Sequence, residues 1–279
     1  MRNVAWFSVA LAMAVLVAGG VASTQETKVD APLPHKVGQS VTPSFEGWYP
    51  NPDGTFSLVW GYFNRNHEEF LNIAVGPDNR FEPGQADRGQ PTHFLLRRQT
   101  GLFAVVVPAD FGDQLLTWTL TSHGETILIP GHLRPEWEIT ALEEVTSGNT
   151  PPVIRYSPGG EAGQGPLGVR TSMRVTVGAP MELPLWVTDD GVRKTRAADR
   201  PPQLGVRWSK YRGSGNVSFG ETEPEIGEEG RAATTATFGE PGEYVLRVLA
   251  WDDSGGQGLL MAGGFFCCWT NAHVSVTVR

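Results

Sequence analysis

The sequence predicts an all-β protein, built as two antiparallel β-sandwich domains behind a signal peptide. Three observations point there. The 279 residues include 34 Gly and 21 Pro, with 10% aromatic and only 19% charged residues. Many turns together with many large rings suit short strands better than long helices. Apolar residues recur at every second position along most of the chain, and no window carries a clean helical repeat. A Gly- and Pro-rich stretch at 147–168 breaks that pattern into halves, each large enough to bury a core. A sheet with one apolar face must cover it with another sheet or close on itself, which gives sandwiches.

Residues 1–22 read as a secretory signal. Arg2 and the amino terminus supply positive charge, Val4 to Val17 is uncharged and mostly apolar, and Gly20-Val21-Ala22 offers small side chains for cleavage. The alternative is an uncleaved anchor, because Val4 to Ala22 approaches the roughly 20 residues that span a bilayer. Gly20 stands where a lipoprotein signal needs Cys, which excludes lipid attachment there. Residues 23–43 are polar, carry Pro32, Pro34 and Pro43, and read as a linker. The expected location is secreted or periplasmic, or membrane-tethered if the anchor stays. No membrane insertion is expected after cleavage.

Residues 44–146 form the expected N-terminal sandwich. Phe56, Leu58, Trp60 and Tyr62 share one strand face, and Leu71, Ile73 and Val75 the next. Phe103, Val105 and Val107 follow, and Pro108 stops that strand because proline cannot donate to a ladder. Leu116, Trp118 and Leu120 alternate with Thr117, Thr119 and Thr121, the pattern of a half-buried strand. Asn51-Pro52-Asp53-Gly54, Gly76-Pro77-Asp78-Asn79 and His123-Gly124 are the turns between them.

The 147–168 stretch is the expected linker, and 169–279 the second sandwich. Its strand faces are Met173, Val175 and Val177; Leu183, Leu185 and Val187; Leu204, Val206 and Trp208; Thr234, Ala236 and Phe238; Tyr244, Leu246, Val248 and Ala250; and Val274, Val276 and Val278. Several short strands in this length suggest a second sandwich. The order of Asp189-Asp190-Gly191, Trp208-Ser209-Lys210-Tyr211, Pro241-Gly242-Glu243-Tyr244 and the closing Val274-Ser275-Val276-Thr277-Val278 resembles PKD-type (polycystin-repeat) immunoglobulin-like domains. The resemblance covers about 150–279 and is most specific at Pro241 to Tyr244. It implies spacing, adhesion or ligand binding outside the cell. By the same likeness the Tyr244 ring is buried and its hydroxyl returns to the backbone, as in a tyrosine corner. Two stretches depart from the family pattern: the long Gly-rich insert at Gly255 to Gly264 and the extended loop from Arg193 to Pro202.

A formal charge of −8 argues against a broad nucleic-acid-binding surface. The two Cys are adjacent, which excludes a disulfide-dense scaffold and a multi-Cys zinc site. Cys267 and Cys268 can pair with each other, pair with another chain, or remain buried thiols. Neighbouring Cα atoms lie about 3.8 Å apart, against roughly 4.4–6.8 Å for ordinary disulfides. Asp189, Asp190 and Asp252 are the best candidates for calcium, although no dense Asp-x-Asp-x-Asp loop is present and turn capping is the alternative. Calcium aside, no cofactor is expected. Trp48 and Tyr49 with Asn64, Arg65 and Asn66 pair aromatic faces with polar donors, a composition that suits sugar rings. The alternative for these five is a core with its turns. The cations from Arg193 to Arg212 precede the acids from Glu221 to Glu229, giving either a two-signed interaction surface or loops that offset one another.

No Gly-x-Ser-x-Gly, His-Glu-x-x-His or phosphate-binding Gly loop occurs. His93, His123 and His132 are scattered and read as surface loops; the alternative is that they meet in space to bind a metal or serve as a base, which their spacing does not support. The expectation is a non-catalytic binding, adhesion or spacer protein of the cell surface that recognises a protein, a glycan or copies of itself. The alternative is a secreted hydrolase or carbohydrate-active accessory protein with its site on the N-terminal loops.

Overall fold

The computed structural model describes residues 35–145, 147–192, 204–252 and 267–279. The expected signal, the first part of the linker, and both unusual loops, Arg193 to Pro202 and Gly255 to Gly264, lie outside the described residues. The described residues belong to one compact unit. Its chain is all-β and carries two large hydrophobic cores, one in each half.

In the first half, strands β1 (Val41–Pro50), β2 (Phe56–Asn64) and β6 (Arg97–Val107) form an antiparallel sheet in the order β1-β2-β6. Asn51 to Thr55 closes the first hairpin, with Asn51 N donating to Thr55 O at 2.8 Å. Strands β4 (Asn79–Glu82), β7 (Leu116–Ser122) and β8 (Glu125–Gly131) form a second sheet in the order β4-β7-β8. His123 and Gly124 both take positive φ, the backbone that matches a tight hairpin to strand twist. The short pair β3 (Leu71–Asn72) and β5 (His93–Phe94) lies between. The strand expected through Val75 ends at Asn72, although Ile73 N still donates to Thr92 O at 2.9 Å.

Rings from both sheets meet in the core. Phe81 stacks on Trp118 at 5.7 Å, Phe103 meets it edge-on at 5.4 Å, and Trp60 packs on Phe81 at 5.1 Å. Asn79, expected in a turn, is fully buried. Its amide donates to the Ile73 and Pro91 carbonyls at 2.9 and 2.8 Å, and its oxygen accepts from Trp118 Nε1 at 2.9 Å. The central strand β2 is covered on both faces rather than one. Val59 joins Tyr49, Ala104 and Ala141 in a small outer cluster.

In the second half, β9 (Val153–Arg155), β11 (Met181–Thr188), β14 (Arg231–Phe238) and β13 (Val217–Phe219) form one sheet in the order β13-β14-β11-β9. Strands β10 (Val169–Val175), β16 (Trp269–Val278), β15 (Gly242–Trp251) and β12 (Gly205–Arg212) form the other. The pairing β10–β16 is parallel and the rest are antiparallel. Written in immunoglobulin letters, the sheets are A-B-E-D and A′-G-F-C, with a buried Trp208 on strand C. This half is an immunoglobulin-like sandwich. Tyr244 OH donates to Glu240 O at 2.9 Å, closing a tyrosine corner. Gly213 is required beside it, since a Cβ there would lie 2.2 Å from the Tyr244 ring.

The segment 147–168 is not a free linker. It supplies β9, whose Ile154 is fully buried in the second core, and Gly165 N donates to Thr270 Oγ1 at 2.9 Å. Gly and Pro there shape a tight path over β16 rather than slack.

Candidate functional site

The two sandwiches share a seam built from buried side chains. Tyr211 projects from β12 into the first core, and its hydroxyl donates to Gly89 O at 2.6 Å. The next residue, Arg212, grips Asp87 with two nitrogens at 2.9 and 2.7 Å and Gln90 O with a third at 2.7 Å. Those bonds hold the Asp87 carboxyl below its usual range.

On the other side of the seam, the Gly101 peptide is clamped at both ends. Its N–H donates to the buried Glu46 carboxylate at 2.5 Å, and its carbonyl accepts from Trp269 Nε1 and Asn271 Nδ2 at 3.2 and 2.7 Å. Only glycine fits, because φ is +52° and a Cβ would lie 2.0 Å from the Trp269 ring. Burial pushes the Glu46 carboxyl up to about 7, against the opposing pull of Arg98 at 2.7 Å. Asn271 Oδ1 also accepts from the buried Arg247 at 3.0 and 2.6 Å. Burial brings that guanidinium down to about 10, which leaves it charged at neutral pH. His273 lies beside Tyr211, its ring 4.9 Å away, with both nitrogens buried and, among the described residues, unpartnered. Burial, and then Arg170, Arg247 and Arg212, hold it well below its usual range, so it is neutral.

A cleft of about 520 Å³ opens where the seam meets the surface. One wall is Phe70, Asn72 and His93 from the first sandwich; the other is β12 and the chain that follows it, including Ser209, Lys210 and Asn216. Phe70 is 51% exposed and stacks on the His93 ring at 5.8 Å, with planes 6° apart. Burial and then Lys210 lower His93 to about 4. The neutral ring pairs through Nδ1 with Asn72 Oδ1 at 2.8 Å.

The sequence-predicted sugar platform is not assembled. Trp48 and Tyr49 are buried, at 8% and 4% exposure, with Trp48 Nε1 donating to Arg134 O. Asn64 and Asn66 are fully buried and bond to each other, to Glu69 O and to the Gln39 backbone. Only Arg65 is exposed, reaching Thr42 Oγ1 at 3.1 Å. The rings were needed by the core, and the amides hold the incoming arm in place.

Cys267 and Cys268 are joined to each other and buried, at 4% and 0% exposure, near the Asn149 carbonyl. Asp190 accepts from the Thr150 N–H and hydroxyl at 2.9 and 2.8 Å, and Asp252 accepts from Asn149 Nδ2 at 2.7 Å. Burial, Asp252 and Asp190 raise Asp189. Among the described residues no group of three or more His, Cys, Asp or Glu is arranged to hold a metal ion. The three carboxylates of the calcium expectation serve turn and loop bonds. The histidines do not converge. His67 meets Arg97 at 2.7 Å, His123 meets Glu69 at 3.2 Å, and His132 packs on Phe45 and Trp137. Of the expected two-signed surface, Arg207 pairs with Glu223 at 2.6 Å and Arg212 is spent on the seam; the cations from Arg193 to Arg200 lie outside the described residues.

The cleft is not legible in the sequence, because Phe70 and Lys210 come from distant segments. The one local signal was a large ring, Phe70, directly after the polar turn His67-Glu68-Glu69.

No family model matches the chain. No curated protein matches it either. Among solved structures, domains 4 and 5 of the S-layer protein SbsC align at 13% identity and a TM-score of 0.23, over 86% of this chain and 98% of that one. The D00-D0 domain of intimin aligns at 10% identity and a TM-score of 0.26, over 86% and 100%. The Yersinia pseudotuberculosis adhesin InvE aligns at 11% identity and a TM-score of 0.25, over 85% and 58%. At these values the likenesses assign neither a family nor a role. Among the described residues no helix is long and apolar enough to cross a membrane.

Proposed function

We propose that this chain is a non-catalytic binding or spacer protein of the cell surface, secreted or periplasmic, that holds two sandwiches in fixed orientation toward a protein or glycan. The observation that carries the reading is the seam. Asn271 alone joins Gly101, Pro166 and Arg247, so the two halves are fastened by buried polar bonds rather than hinged. A buried charge that lost such partners would cost several kcal/mol, on the order of 3–5, which disfavours opening. A fixed pair of sandwiches suits presentation or spacing better than a reaction cycle that needs closure. The second sandwich fits the PKD type in its Pro241-Gly242 launch and its tyrosine corner.

The test is cell fractionation followed by a retention assay. The chain is expected outside the cytoplasm, and the purified protein is expected to stay bound to isolated envelope material. Recovery from the cytosol, or enzyme-like turnover of glycoside or ester substrates, would overturn the reading.

A further inference from the structure

We propose that the cleft at the junction of the two sandwiches binds a saccharide carrying a carboxylate. The inference deepens the binding role above and rests on it. Its starting point is the chemistry of the walls. Phe70 offers a half-exposed ring held flat by the parallel His93 ring behind it, a face on which the apolar side of a pyranose can lie. Asn72, Ser209 and Asn216 supply short neutral donors and acceptors around that face, as a hydroxyl-rich ligand requires. Because neutral His93 donates from Nδ1 to Asn72 Oδ1, its Nε2 remains an acceptor. Trp208, 1% exposed, also lines the cleft, and among the described residues its indole N–H has no partner.

The charge of the cleft is single. Among the described residues Lys210 is the one ionised side chain of the lining, and no carboxylate lies within ion-pair distance of it. Among those residues its ammonium donates only to the Gly215 carbonyl, at 3.1 Å. Burial holds it below its usual range, while Glu240 pulls the other way. A partly desolvated cation beside a sugar-stacking face calls for an anionic sugar rather than a neutral one.

A peptide added as an extra strand fits less well. Strand β12 is a sheet edge, but at the cleft its Trp208 N–H is already taken by Thr222 O at 2.7 Å.

Calorimetric titration of the purified chain with tetragalacturonate and sialyllactose tests this, with maltotetraose and a hexaglutamate peptide as controls. At least one acidic saccharide is expected to bind saturably, with maltotetraose much weaker. Phe70→Ala should weaken that binding about tenfold or more, which corresponds to about 1.4 kcal/mol. Lys210→Gln should abolish the preference for the acidic saccharide and the weakening of binding by added salt. Both positions are partly exposed, so an unchanged melting temperature certifies the variants. Binding of neither acidic saccharide, or binding unaltered in Phe70→Ala, would overturn the site. Equal binding of maltotetraose would overturn the carboxylate, and preference for hexaglutamate would replace the saccharide with an acidic peptide. If the chain stays on envelope material while binding no acidic saccharide, the cleft inference alone falls.

Discussion

The two sandwiches reach stability by different means. The first has strands of nine to eleven residues in its main sheet and relies on rings: Trp60, Phe81, Phe103 and Trp118 fill its centre, and buried amides such as Asn79 tie its loops to that centre. The second has strands of seven to ten residues in its main sheet, and aliphatic side chains such as Leu246, Val248, Val274 and Val276 line its core. In the first core several partners share one ring, as Phe81, Phe103 and Asn79 share Trp118. Loss of such a ring removes several contacts at once, so the first sandwich is more exposed to single substitutions, and the seam decides whether its failures spread.

The largest effect should come from Trp118→Ala. Truncating a buried Trp costs about 3–5 kcal/mol, and here the Asn79 oxygen also loses its indole donor. Leu246→Ala in the second core should cost about 2–5 kcal/mol and lacks that polar loss. If the seam couples the halves, urea denaturation of both variants gives one transition, shifted in each. Two transitions, only one of them moved, would show that the sandwiches unfold independently.

Next in size is the pH response of Glu46. Its folded carboxyl titrates near 7, above the ordinary value of 4.5. A raised carboxyl binds its proton more tightly in the folded state, so its contribution is complete below about 4.5 and is lost as pH climbs through 7. The span corresponds to at most about 3 kcal/mol. Asp87, on the opposite side of the seam, is lowered, so its contribution is present at neutral pH and lost in acid. Glu46→Gln should flatten the stability profile between pH 4.5 and 7 and leave the acid limb. An unchanged slope would show that Glu46 is not the titrating group. Gly101→Ala should cost less, about 1–3 kcal/mol from overpacking on Trp269. It should also broaden or split the single transition; a sharp transition would mean the seam tolerates a Cβ.

The same contrast governs what the sequence disclosed. Six strands of the second sandwich are legible, because period-two runs such as Tyr244, Leu246, Val248 and Ala250 turn inward to one core, whereas β9, three residues within a Gly- and Pro-rich stretch, is not. In the first, Leu58, Trp60 and Tyr62 were readable as a buried face. The burial of Ser57 and Val59 behind them was not, since the segment around Ala141 that covers them is distant in sequence. Trp48, Asn64 and Asn66 carry the same residue types as a binding site and a core, and only tertiary placement separates the two uses. Phe70 and Lys210 share a cleft only because the seam brings their sandwiches together, and no local spacing encodes that.

The smallest effect should come from the cysteine pair, and it sets covalent against non-covalent fastening. The seam joins residues far apart in the chain, Tyr211 to Gly89 and Asn271 to Gly101, whereas the sulfur bridge joins neighbours. A loop that short removes little freedom from the unfolded chain, so the bond should contribute about 1 kcal/mol or less. Both residues are buried, so reductant should act slowly on the folded protein and readily once urea opens it. Intact mass without reductant should fall about 2 Da below the reduced chain, because a disulfide forms with loss of two hydrogens. A monomer without that deficit would leave two buried thiols, and a doubled mass would place the bond between chains. A stability loss on reduction as large as that of Gly101→Ala would show that the bridge, rather than the hydrogen-bonded seam, fastens the second sandwich beside the first.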